Sequence, residues 1–159
     1  MRKSLLSYAV LPITIAATTV AFAQQPPAPG AAYKPGFAEF MLSAQVRHAK
    51  LWLAGNAGNW ELADYQIDEL KEGLEDAAKH VPTYKDMPVG QMIETMAIKP
   101  IGEVENAIKA KSRTQFDSAF DKLTEACNAC HAATNRPFIV VQRPNGSPFP
   151  NQSFAPKAR

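Results

Sequence analysis

The stretch "FDSAFDKLTEACNACHAATNRP", residues 116–137, holds both cysteines of the 159-residue chain within a continuous helical pattern. Its apolar side chains and its two thiols recur at intervals of four and three residues, which places them on one face of an α-helix. This stripe consists of Phe116, Phe120, Leu123, Cys127 and Cys130. Helix propensity falls at Asn135, and Pro137 cannot continue a helix. The pattern predicts an amphipathic helix whose thiols extend its core-facing side.

Three further amphipathic patterns precede this helix. They cover about residues 37–54, 59–82 and 100–112. Pro82 ends the second pattern, whereas Pro100 suits the first turn of the third helix. Four helices of this size bury their apolar stripes most simply against one another. We therefore expect an all-α fold, an antiparallel four-helix bundle.

Two segments have no regular pattern. Residues 83–99 contain one proline (Pro88), one glycine (Gly90) and three methionines, and they predict a long, partly helical connection. Residues 138–159 are proline-rich but also contain three phenylalanines, which makes them too apolar for a freely solvated linker. We expect part of this extended tail to lie across the helices, and we assign the bundle to residues 36–137.

The chain begins with the pattern of an export signal. A positively charged start precedes an apolar run that closes on Ala-Phe-Ala at residues 21–23. We expect residues 1–23 to be removed as a signal peptide. The alternative is an uncleaved membrane anchor, for which the run is short and rich in threonine. Residues 24–35 are proline-rich and predict a flexible linker, so the expected product is an exported, periplasmic protein.

The charge balance argues against two classes of partner. The chain has 17 Lys and Arg against 15 Asp and Glu, and two of the basic residues lie in the leader. A nearly neutral mature chain gives no reason to expect nucleic acid or an anionic membrane as a partner. No apolar stretch after the leader is long enough to cross a bilayer.

Cys127, Cys130 and His131 form the motif C-x-x-C-H, through which haem c is attached. Thiols three residues apart on a helix point to the same side and can reach two neighbouring vinyl groups of a porphyrin. The next residue then offers an imidazole to the iron. The motif predicts one covalent haem c, with thioethers at both cysteines and His131 as the proximal ligand.

Three other interpretations of the cysteine pair agree less well with the sequence. A redox-active dithiol normally begins a helix after a strand, whereas this pair lies well inside a helix. A zinc site would need more ligands than His48 and His80 can add. A disulfide between positions i and i+3 would close too small a loop to add much stability. Export, the lack of other cysteines and the core-facing position favour haem.

A helical bundle with "CNACH" in its last helix resembles the class II cytochromes c, the cytochrome c-prime and c-556 group. The resemblance covers about residues 37–137 in helix order, loop placement and motif position. It implies that Cys127 and Cys130 bind haem covalently and that His131 is the proximal ligand.

The resemblance also implies that the first helix governs the other face of the iron. In low-spin members a methionine of this helix is the sixth ligand, and in high-spin members an apolar residue blocks that position. Met41 is the expected ligand here, and His48, two turns later, is the alternative. Because the helical rise separates them by about 10 Å, one iron can use only one of them. The connection adds Met87, Met92 and Met96, which do not lie on the ligand helix of the family.

Arg136 is a further candidate for contact with the haem. Class II proteins often have a basic residue four positions after the motif histidine, but that position is Asn135 here. Arg136 follows it and could pair with a haem propionate, since guanidinium and carboxylate match in a bidentate geometry. The alternative is a solvated helix end.

These residues together predict an exported monohaem cytochrome that carries single electrons between transient protein partners and is not an enzyme. The main alternative is a five-coordinate iron that binds NO or CO. A peroxidase-like enzyme is a third option, for which His48 is the obvious acid–base group. The resemblance also implies that a homodimer through the first two helices is an option.

Overall fold

A computed structural model describes residues 33–157, and every regular element in that range is an α-helix. The helices are α1 (Phe37–Asn56), α2 (Trp60–His80), α3 (Val89–Met96), α4 (Ile98–Lys109) and α5 (Arg113–Ala133). Within the described range, β-type pairing is limited to an isolated bridge between Tyr84 and Met87. The predicted all-α class is confirmed. The predicted leader, residues 1–23, and the linker up to residue 32 lie outside the described residues.

Local sequence signals account for several of the helix ends. The Asn59 side chain accepts a hydrogen bond from the Leu62 N–H at 3.2 Å and caps α2. Pro100 lies in the first turn of α4, as predicted. The prediction that this helix reaches about residue 112 was too long. Lys111 has a φ of 50°, and Ser112 instead caps α5.

The connection at residues 83–99 is partly helical, as its composition predicted. It contains α3, which contacts α2, α4 and α5. Among the longer helices, α1 packs against α2, α4 packs against α5, and α2 also contacts α4. No helix within residues 33–157 is both long and apolar enough to cross a membrane.

The core is centred on the first half of α5. Phe116, Phe120 and Leu123 are fully buried there. The ring centroid of Trp52, from α1, lies 6.1 Å from that of Phe116 and 5.0 Å from that of Phe120. Gly55 allows this close packing, because a methyl group at its Cα would overlap the Phe116 ring.

The tail after α5 has no regular structure but packs across the helices. Arg143 donates hydrogen bonds to the Asp121 carboxylate at 2.7 and 2.8 Å, and its guanidinium lies 4.1 Å from the centroid of the Trp52 ring. Phe154 is buried, and Phe149 packs against the core beside it. The expected contact between tail and helices is therefore present.

Candidate functional site

An apolar cavity of about 360 Å³ lies between α1, α3, the end of α5 and the tail. Its volume is within the range of about 300–1,000 Å³ that is typical of small-molecule sites. All six residues that the sequence singled out line it, although they come from three separate segments. They are Met41, His48, Cys127, Cys130, His131 and Arg136.

The two thiols occupy the part of the α5 stripe that faces this cavity. Cys127 and Cys130 are partly buried and form no disulfide. Burial raises the pKa of Cys127 to about 11, with a smaller contribution from Cys130, and burial also raises the pKa of Cys130. Reactive dithiols instead have lowered pKa values, often at a helix N-terminus, whereas this pair is near a C-terminus. The pair is therefore poorly suited to thiol–disulfide exchange.

His131 has a defined tautomer. Its Nδ1 lies 2.9 Å from the backbone carbonyl oxygen of Ile139. Because a carbonyl can only accept, Nδ1 carries the proton, and Nε2 of the neutral ring keeps its lone pair. A metal-binding histidine commonly has this arrangement, with one ring nitrogen donating to a carbonyl and the other binding the metal.

The end of α5 turns the chain back toward the cavity. Asn135 has a φ of 61°, the Arg136 N–H donates to the His131 carbonyl at 2.8 Å, and the Asn135 N–H donates to the Ala132 carbonyl at 3.1 Å. These are the two hydrogen bonds of a Schellman motif, in which asparagine is one of the residues that tolerate the left-handed position. Asn135 therefore has a structural role in ending α5.

Met41 and His48 both line the cavity from α1, but their surroundings differ. Met41 is partly buried at the wall. His48 is 3% exposed, and its Nε2 lies 2.9 Å from the Thr124 hydroxyl. That hydroxyl donates its proton to the Phe120 carbonyl at 2.9 Å, so it accepts the second hydrogen bond from His48 Nε2–H. Burial lowers the pKa of His48 to about 4, which keeps the ring neutral.

Arg136 is the one permanently charged side chain among the described residues of the cavity wall. Its guanidinium donates to the Thr134 carbonyl at 2.5 Å and lies 5.0 Å from the centroid of the Tyr84 ring. No ion pair joins it to a carboxylate within residues 33–157. The side chain thus keeps donors for an anionic group.

Several wall residues were missed or undervalued from the sequence. Met92 and Met96 line the cavity from α3, and Ile139 and Val140 line it from the tail. The sequence pattern places these methionines in a connection between helices, whereas in the structure they belong to α3, which brings them to the cavity. The tail residues gave no signal, because their position depends on a turn and not on a periodic pattern. Met87 is absent from the described wall of this cavity.

The residues present fit a covalently attached haem. Two thiols and a histidine whose Nδ1 donates to a carbonyl lie along one apolar wall, and the guanidinium of Arg136 lies at the same cavity. No group of three or more His, Cys, Asp and Glu side chains that could hold a metal ion occurs in the described part of the chain. The site therefore lacks the ligand set of a structural zinc centre there.

Comparison of the chain with protein-family models, with curated proteins and with solved structures gave no match.

Proposed function

We propose that the protein is an exported monohaem c-type cytochrome that carries single electrons, with an antiparallel four-helix bundle like that of class II cytochromes c. One observation carries this proposal. Cys127, Cys130 and His131 lie together on the wall of an apolar cavity, and Met41 lines the same cavity from another helix. Haem c, when bound, supplies one-electron chemistry at its iron.

Each wall residue has a role in this proposal. The thiols of Cys127 and Cys130 would anchor the group, and Nε2 of His131 would bind the iron. The Nδ1–H of His131 is already held by a carbonyl, so the ring does not need to reorient. The apolar wall excludes water, and Arg136 offers a counter-charge to a propionate.

The surroundings of the two distal candidates favour Met41 over His48 as the sixth ligand. Nε2 of His48 could bind iron only by giving up its hydrogen bond to Thr124, whose only hydroxyl proton is already donated to Phe120, so ligation without that loss is limited to Nδ1. The thioether of Met41 has no such bond to lose, and the methionine side chain is flexible. Methionine–histidine ligation would give a higher reduction potential than a pair of histidines.

The setting of this activity is inferred from the sequence. The signal-peptide pattern at residues 1–23 supports a periplasmic location. Redox proteins typically meet through small, transient interfaces, and the nearly balanced charge gives no reason to expect nucleic acid as a partner. The mature chain would have no membrane span.

The test is an absorption spectrum of the protein made in a cell that attaches haem c. We expect a Soret band, a sharp reduced α band and a weak near-infrared band from methionine ligation. Met41→Ala should remove the near-infrared band, whereas Met87→Ala, at a methionine away from the cavity wall, should keep it. Met92→Ala is the second control, because Met92 lines the cavity from a different helix.

Two results would change the proposal. Absence of a Soret band would reject the haem assignment. A broad reduced spectrum that shifts on addition of carbon monoxide would indicate an open iron, and the NO- or CO-binding alternative would replace electron transfer. An open iron that also turns over peroxide would support the peroxidase-like option, with His48 as its acid–base group.

A further inference from the structure

The first residues of the tail form a short strap beside the C-x-x-C-H motif. The strap is defined as residues 137–141, which follow the Schellman turn at the end of α5. The Ile139 N–H donates to the Arg136 carbonyl at 3.0 Å and continues the turn. This geometry brings the Ile139 carbonyl to 2.9 Å from His131 Nδ1. The strap thus contributes a hydrogen-bond acceptor to the candidate proximal ligand.

The strap is held in turn by Asn128, one of the two residues between the cysteines. The Asn128 Nδ2 donates to the Val141 carbonyl at 2.9 Å, and its Oδ1 accepts from the Val141 N–H at 2.7 Å. One amide side chain therefore satisfies both backbone groups of a single strap residue, as a neighbouring β-strand would. Because one hydrogen bond uses the N–H of Val141 and the other uses its carbonyl, the pair fixes the orientation of the strap as well as its distance from α5.

We propose that Asn128 is a positioning residue for the proximal ligand. Its paired hydrogen bonds to Val141 keep the Ile139 carbonyl on His131 Nδ1–H. This inference rests on the proposed function, since it concerns the iron ligand of a haem protein. It goes beyond that function by assigning a role to a residue of the motif that binds neither haem nor iron.

The expected consequence follows from the chemistry of the imidazole. A hydrogen bond from Nδ1–H to a carbonyl increases the basicity of Nε2, and a more basic ligand stabilises ferric iron relative to ferrous iron. Loss of the Asn128 pair should free the strap and weaken the Nδ1–H···O contact. The reduction potential should then rise.

The experiment compares the haem-loaded wild type with Asn128→Ala. The matched control is Asn145→Ala, which removes an exposed asparagine further along the tail. Three quantities are measured on each protein: the exchange rate of the Val141 amide, the exchange rate of His131 Nδ1–H by NMR, and the reduction potential. In Asn128→Ala we expect both exchange rates to increase by about tenfold and the potential to rise. Asn145→Ala should match the wild type.

A second variant protects the test if Asn128→Ala does not load haem. Val141→Pro removes the N–H that donates to Asn128 Oδ1, so it disrupts the same pair of hydrogen bonds by changing the strap instead of α5. Compared with the haem-loaded wild type, Val141→Pro should by itself raise the reduction potential and speed the exchange of His131 Nδ1–H. An unchanged potential together with an unchanged Nδ1–H exchange rate would reject the positioning role.

The outcomes separate this inference from the proposed function. A wild type without a Soret band would reject both. A haem-loaded Asn128→Ala with fast Val141 exchange but unchanged His131 Nδ1–H exchange and unchanged potential would reject the positioning role alone. Unchanged Val141 exchange would show that Asn128 does not hold the strap, and would also reject it.

Discussion

The apolar stripe of α5 has the same residue spacing throughout, but its first half packs in the core and its second half faces a cavity. In the first half, Phe116 and Phe120 are completely buried among aromatic rings. In the second half, Cys127 and Cys130 continue the stripe but face a cavity. The same division occurs in α1, where Leu51 is fully buried whereas the earlier part of the helix lines the cavity. A helical period therefore shows which face is apolar, but not whether another part of the protein fills the space beside it.

Removal of the two thiols should have the largest effect on the cavity half of α5. The double variant Cys127→Ala/Cys130→Ala should lose covalent haem completely, because no other cysteine exists in the chain. Each single variant should keep at most one thioether. Haem that remains bound after denaturation of the double variant would contradict the assignment. Helicity measured by circular dichroism should persist, since the packed half of α5 is unchanged.

Truncation in the packed half should instead affect stability. Phe116→Ala should lower the free energy of unfolding by about 3–5 kcal/mol, the usual effect of removing a fully buried aromatic ring. Phe138→Ala is the matched control, because that ring is 78% exposed and should change stability by less than about 0.5 kcal/mol. Urea titration of both variants checks this. Equal losses would mean that the core is not centred on Phe116.

His48 lies at the junction of the two halves and should make stability depend on pH. Its pKa is about 4 in the fold and 6.5 as a free side chain, so the unfolded chain binds the proton more readily between these values. Stability contributed by neutral His48 is therefore complete above pH 6.5 and is lost as pH falls toward 4, by at most about 3 kcal/mol.

Unfolding free energies of the wild type and of His48→Gln at pH 7.5 and 4.5 check this point. The wild type should lose more stability on acidification than the variant, because glutamine does not titrate. If both proteins lose the same amount, another group causes the acid sensitivity.

A smaller effect should follow from adding a methyl group to the packed half. Gly55→Ala forces a methyl group into the Phe116 ring and should destabilise the protein by about 1–3 kcal/mol. Gly73→Ala is the control, since nothing lies within 4 Å of its would-be Cβ and α2 should gain up to about 1 kcal/mol. Thermal unfolding of both variants distinguishes them by the sign of the change. A stabilised Gly55→Ala would show that the ring moves aside freely.

The residues that the sequence identified share one property: a pattern or a motif marked them. Periodicity located α1, α2, α4 and α5, and the C-x-x-C-H motif marked Cys127, Cys130 and His131. The residues that it missed depend on tertiary contacts. In the sequence, Asn128 is only one of the two residues between the cysteines. Its role depends on the hydrogen bonds of its amide to Val141, which the fold brings close.

The same limit applies to the partners of the two histidines. Nothing in the sequence distinguishes Thr124 from other polar residues of α5, yet its hydroxyl accepts the hydrogen bond from His48. The acceptor for His131 is a backbone carbonyl of Ile139, in a segment without a period. Backbone groups are the same at every residue, so no sequence pattern can mark which of them meets a functional side chain.

Haem joined covalently to this chain would stay with the polypeptide after unfolding, so an intact-mass measurement of the purified, unfolded protein would detect it. The protein should be made in a cell that attaches haem c and should be denatured before analysis, so that any non-covalent group is lost. The account predicts a chain that carries the added mass of one haem. The bare mass of the polypeptide, from the same cell in which a known c-type cytochrome is loaded, would contradict it.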